Sequence, residues 1–262
     1  MGLRPNNQSF SDPILYILIR EISLIFTIAW IVRQLELIQI KTGQIIGKVQ
    51  SHYGWLPIIG LVIIRLIFSA GCFRVFNYPL SFIFPSLIER HLHSNFFTLS
   101  SGSFSPPLYY CLVIINVFII SPVAASFIFQ GIILHRWSAK WGIRPAILMI
   151  SILYSLYYMI FGINLLGGLS LGLMQTMLYI KSRTLIVPIL ARIINNAIFF
   201  LLDYLYLYRE NSLEQFRSHL GIGVFCVAVS TPLLIWVLYK NQIRANEQLP
   251  YFANANPSRD ID

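Results

Sequence analysis

Seven apolar runs constrain what this chain can fold into. They lie at 13–32, 55–73, 107–134, 145–162, 163–180, 184–206 and 220–239, each near the roughly 20 residues an α-helix needs to cross a bilayer. In hydrocarbon every backbone polar group must be satisfied inside its own segment, so runs of this kind are helices. Only 11% of residues are charged and 56% are hydrophobic, whereas soluble domains carry about 25% charged residues. One water-soluble core of this size cannot hide so much apolar surface. The predicted fold class is all-α: a polytopic membrane protein with about seven transmembrane helices. The first run is too long for a cleavable signal and carries Arg20 and Glu21.

The formal net charge is +9. Its distribution argues against a nucleic-acid partner, because the basic residues sit in alternate loops and form no single patch. Arg33, Lys41 and Lys48 follow the first run. Arg136, Lys140 and Arg144 follow the third, Lys181 and Arg183 the fifth, and Lys240, Arg244 and Arg259 the seventh. The intervening loops hold Arg4, then Arg74 and Arg90, then Arg209 and Arg217 beside Glu210 and Glu214. With seven spans this pattern predicts an outside N-terminus and a cytoplasmic C-terminus, or the organellar equivalent. Membrane lipids and other membrane proteins are the expected partners.

Residues 1–12 read as a polar tail. Residues 13–106 form an N-terminal membrane region, with a short interfacial helix expected over Gln34–Ile46. Val75–Ile88 is apolar but interrupted by Pro79 and Pro85, which suggests a re-entrant or interfacial segment. The third run is too long for one straight crossing, and Pro122 is expected to kink it. Gly168 and Gly172 have the spacing that lets membrane helices approach closely. Residues 207–245 hold the last span and its flanks, and 246–262 read as a disordered tail.

Several signals between residues 107 and 206 occur in a recognisable order: Pro122, Phe129 with Gly131, Trp141-Gly142 through Ala146, the glycine-rich fifth run, and the phrase from Pro188 to Asn196. In this order they resemble the core of the CPBP family, which includes the type 2 CAAX prenyl endopeptidases. The resemblance implies an intramembrane metalloprotease scaffold. The family carries Glu-Glu-x-x-x-Arg on a kinked helix, Phe-x-x-x-His on the next, and His-x-x-x-Asn on a later one. The first Glu would act as general base, and the histidines and Asn would surround a metal or its water.

Here the Glu-Glu falls on Ala125 and Ser126, and the Arg on Gln130. Phe-x-x-x-His falls on Tyr154 and Tyr158, and His-x-x-x-Asn on Arg192 and Asn196. Only Asn196 keeps the family's polar group. Ala125 has no proton acceptor, tyrosine is a poor zinc ligand, and Arg192 puts a permanent cation where a dication belongs. No catalytic residue, no metal and no cofactor are therefore expected.

Replacement ligands are hard to find. His52, His91, His93, His135 and His219 read as loop or helix-end residues; the His91-Leu92-His93 pair with Glu89 close by is a conceivable surface metal site, but isolated loop pairs of this kind are usually solvated and supply few of the ligands zinc demands. Cys72, Cys111 and Cys226 are scattered without metal-ligand spacing. Ser170 in GLSLG matches a nucleophile motif in letters but lacks the strand–turn–helix context.

Ionisable residues inside membrane runs point to function by default. The candidates for a binding cavity are Tyr158, Arg192, Asn196, Asp203, Arg65 and Glu21. Arg192 needs a partner from elsewhere, such as Glu21, the face bearing Tyr154 and Tyr158, or backbone carbonyls. The leading reading is a non-catalytic relative of the CAAX proteases acting as a scaffold, assembly or regulatory factor for other membrane proteins. The alternatives are an endopeptidase with an atypical site and a small-solute or lipid transporter.

Overall fold

In a computed structural model of the chain the described residues are 13–37, 41–49, 54–92, 107–161, 164–205, 212–243 and 247–255. They form helices and connecting turns, with no strand among them. The elements are α1 (Pro13–Leu37), α2 (Thr42–Ile46), α3 (Trp55–Ile83), α4 (Pro85–Leu92), α5 (Pro107–Trp141), α6 (Ile143–Phe161), α7 (Leu165–Ser182), α8 (Ile186–Tyr204), α9 (Leu213–Ser218), α10 (Leu220–Lys240) and α11 (Pro250–Ala255). The seven long helices each lie on one of the seven apolar runs. By length and composition α3, α5 and α10 can cross a membrane, and α6 and α8 carry the shorter apolar stretches Ile143–Tyr157 and Ile186–Leu202. The fold is an all-α polytopic membrane architecture.

The largest buried core joins α5 to α8 with α3 and the end of α1, through Ile31, Val62, Phe129, Ile150, Leu171 and Ala191. Outward-facing side chains such as Phe26, Leu56 and Phe225 are apolar, as a lipid-facing surface requires. A close helix approach falls at Gly172, where a Cβ atom would lie 2.7 Å from Ser151 Cα and 2.8 Å from Tyr154 Cβ. Only glycine lets α7 seat this closely on α6. A second close crossing, at Gly71 of α3 and Gly223 of α10, attaches the last long helix.

Pro79 acts differently from the sequence expectation. α3 runs unbroken through Pro79 and stops at Phe84, and α4 begins at Pro85. Pro85 has no N–H to offer the carbonyl of Ser81. Arg217 meets that carbonyl instead, donating from Nη2 to Ser81 O at 2.6 Å and from Nε to Ser81 Oγ at 3.1 Å. Pro122 lies between two π-helical turns, over Asn116–Ile120 and over Phe127–Ile133. α1 continues to Leu37, leaving Thr42–Ile46 as the short helix of the first connection. Within the C-terminal stretch predicted to be disordered, Pro250–Ala255 is helical.

One end of the bundle gathers the connections that carry most of the basic residues. Leu185 N–H donates to Ile46 O at 2.9 Å. Asn254 Nδ2 donates to Gln44 O at 2.7 Å and to Arg183 O at 2.9 Å. Arg144 Nε reaches Ile243 O at 3.2 Å, and Lys181 pairs with Glu247 at 2.9 Å.

Candidate functional site

The second π segment widens the buried arc of α5. Ala124 to Phe127 and Phe129 to Gly131 are all buried, a broader face than an α-helix turns inward. This places Ala125, Ser126 and Gln130 inside the bundle. Phe129 stacks on Tyr154 of α6, with ring centroids 4.1 Å apart. Tyr154 receives a hydrogen bond at its hydroxyl from Arg192 Nη1 of α8 at 3.1 Å, and the guanidinium carbon sits 5.5 Å from the ring centre. Arg192 is buried. Its partner is thus the Tyr154 face that the sequence offered as one option.

Asn196 has a structural task. Ser121 N–H bonds back five residues to Asn116 O. The next bond in that π register would run from residue 122 to Val117 O, and Pro122 has no N–H to make it. Asn196 Nδ2 donates to Val117 O at 2.8 Å. The surviving polar residue of the expected site therefore meets the carbonyl that Pro122 orphans.

Asn196 also ends a directional relay. Arg65 Nη1 of α3 donates to Asn195 Oδ1 at 2.7 Å, and Asn195 Nδ2 donates to Asn196 Oδ1 at 3.3 Å. Arg65 Nη2 donates to Gly167 O at 2.7 Å, and its longer contacts reach Ser69 and Ser170 at 3.4 Å. Asn164 caps α7 by accepting from Gly167 N–H at 2.9 Å, and its amide nitrogen donates to Ser69 O and Oγ. Ser170, the letter match to a nucleophile, donates to Gly167 O at 2.9 Å. One guanidinium thus ties α3 to α7 and α8, and through Asn196 to α5.

Of the other candidates, Glu21 separates from this group. Glu21 is buried on α1, and no hydrogen bond among the described residues joins it to Arg192 or Arg65. Its neighbour Arg20 donates to Asn116 Oδ1 at 2.5 Å. Tyr158 and Asp203 fall on α6 and α8, but their side chains lie outside the described residues, as do His52 and His93. His135, read from sequence as a helix-end residue, lies within α5 with Nε2 2.9 Å from the Tyr179 hydroxyl.

Residues 106–198 match the family model for Type II CAAX prenyl endopeptidase Rce1-like proteins. This core is similar to the Rce1-like proteins. The matched segment takes in α5, α6, α7 and most of α8, the helices that hold Ala125, Gln130, Tyr154, Arg192 and Asn196. No curated protein and no solved structure matches the chain.

A metal in the Rce1-like core would need lone pairs aimed at one point. The described residues do not fit one. Tyr154 Oη accepts from a guanidinium, Asn196 Oδ1 accepts from Asn195, and Ala125 offers a methyl group. Among the described residues no group of three or more His, Cys, Asp or Glu side chains comes together.

A second set of polar side chains joins Gln130 and Ser126, which the sequence marked as altered family positions, to Gln175 and Thr176, which had no sequence signal. Gln130 of α5 and Gln175 of α7 are both 0% exposed. Neither the nitrogen nor the oxygen of either amide has a hydrogen-bond partner among the described residues. The same holds for Ser126 Oγ, Thr176 Oγ1 and His135 Nδ1. Each such group left unmet costs about 1–3 kcal/mol. Gln175, Thr176 and Tyr179 share the α7 face that begins at Gly172. A lone Gln or Thr in an apolar run gives no hint of this, because neither titrates and neither completes a motif.

Proposed function

We propose that this chain is a non-catalytic Rce1-like membrane protein, a pseudoprotease that serves as a scaffold, assembly or regulatory factor for other membrane proteins. The observation that carries the reading is the use made of the altered positions. Hydrolysis of a peptide by a metal centre requires a base, lone-pair ligands and an ordered water. Here Arg192 and Tyr154 bond to each other, and Asn196 is committed to Val117 O. A fixed guanidinium in the family's ligand position repels a dication. The gathering of Lys41, Arg144, Lys181 and Arg183 connections at one end of the bundle supports a cytoplasmic placement of that end. The C-terminus would share it, and seven crossings would put the N-terminus outside.

The experiment has two arms. Purified protein is assayed for metal content and for cleavage of a prenylated CAAX-type peptide. The expected result is well under one metal per chain and no cleavage above the protein-free rate. Cleavage abolished by a chelator would overturn the pseudoprotease reading. For the scaffold role, photo-cross-linkers are placed at Phe225 and Trp236, both on the exposed face of α10, in native membranes. A discrete membrane-protein adduct supports the role, and lipid adducts alone refute it.

A further inference from the structure

We propose that α2 and α11 form a strap that closes the polar interior of the core at the basic end of the bundle. Lifting the strap would admit water to Gln130, Gln175 and Thr176. The inference goes beyond the non-catalytic reading and does not depend on it.

The geometry of the strap is built on three contacts. Ile45 of α2 accepts a hydrogen bond at its carbonyl from the Tyr179 hydroxyl at 3.3 Å. Its Cγ2 lies 3.5 Å from where a Cβ would sit on Gly131, the residue after Gln130. Tyr251 of α11 meets the His135 ring edge-on, with centroids 6.0 Å apart. The His135–Tyr179 pair is thus the floor on which both strap helices rest. α5 and α7 run parallel, because each is joined to the antiparallel α6 by a short connection. One turn inward from this floor, Gln130 on α5 and Gln175 with Thr176 on α7 therefore lie at the same level.

The strap itself is held by few bonds. Asn254 Nδ2 bridges Gln44 O and Arg183 O, so one side chain fastens α11 to both α2 and the α7–α8 turn. Leu185 N–H holds Ile46 O. Gly47 ends α2 at φ +67°, with a notional Cβ only 2.1 Å from Arg183 O, so the strap seats only because residue 47 has no side chain. Ile45 and Ala253 are buried, but helices of five and six residues open locally at lower cost than the long helices beneath them. Behind them sit seven buried polar atoms with no partner among the described residues, on Ser126, Gln130, His135, Gln175 and Thr176. Water reaching these atoms would satisfy them, so opening is favoured by the interior and opposed by the strap.

The test reads solvent access directly. Cys111 and Cys226 are replaced by Ala, Gln175→Cys is introduced, and native Cys72 is kept as a buried reference on α3. The protein is reconstituted in nanodiscs, and a charged methanethiosulfonate reagent is applied with and without Asn254→Ala. Position 175 should react slowly in the Asn254 form. It should react at least about ten-fold faster once the two Asn254 hydrogen bonds are gone, with Cys72 unchanged. Equal rates at position 175 in the two forms, or a rate already fast with Asn254 present, would overturn the proposal. So would a matching acceleration at Cys72, which would mean that the whole bundle had loosened.

Discussion

The role assigned to Asn196 makes a quantitative prediction. Asn196→Leu keeps the volume but removes the donor to Val117 O, a partly buried bond of 2.8 Å between α8 and α5. It leaves a partly buried carbonyl unmet; a fully buried one costs about 1–3 kcal/mol in proteins generally. Interhelical bonds in membranes sit lower, averaging about 0.6 kcal/mol with a maximum near 1.7. Loss of the 3.3 Å contact from Asn195 adds a smaller amount. A cost of about 1–2 kcal/mol is therefore expected. Pro122→Ala supplies the missing N–H, so Val117 O gains a donor within its own helix. In that background Asn196→Leu should cost only the Asn195 contact, and the two changes should couple by about 1 kcal/mol. The assay is reversible unfolding of the four proteins in mixed micelles by SDS titration. Strictly additive costs would refute the assignment, because Asn196 would then serve something other than the carbonyl orphaned by Pro122.

Other consequences follow from the same contacts. Tyr154→Phe deletes the acceptor of Arg192 Nη1 and should lower stability by about 1–3 kcal/mol, while Arg192→Leu, Tyr154→Phe together should cost less than the sum of the singles; a calorimetric melt of each protein in detergent checks this. Arg192→Leu should lower the melting temperature without changing the photo-adducts from α10, and lost adducts at unchanged stability would overturn the structural role. Arg65→Lys keeps the charge but not the planar fork that reaches Asn195 Oδ1 and Gly167 O at once, so it should cost about 1–3 kcal/mol, measured by the same SDS titration. A melt indistinguishable from that of the parent would mean that the fork is not what joins α3 to α7 and α8.

Much of the fold was legible in the chain because a bilayer imposes a length rule. All seven long helices lie on the seven apolar runs, and the order Pro122, Phe129-x-Gly131, Trp141-Gly142 and Asn196 marked the Rce1-like core. Gly172 was legible too, since small residues at close crossings are a packing necessity. The chain by itself also established which family positions lack acids and imidazoles, because that is a matter of residue identity. What those residues do was decided only by tertiary structure. Asn196 acquires its task because a π register places Val117 O, left open by Pro122, opposite α8. Tyr154 rather than Glu21 faces Arg192 because α6, not α1, packs there. Gln175, Thr176 and His135 join the interior, and α11 becomes a strap, through contacts between segments more than 40 residues apart. Periodicity and composition report what a segment prefers. They carry no record of which distant carbonyl or ring it will meet, and in a core filled with neutral hydrogen-bonding groups that meeting determines the chemistry.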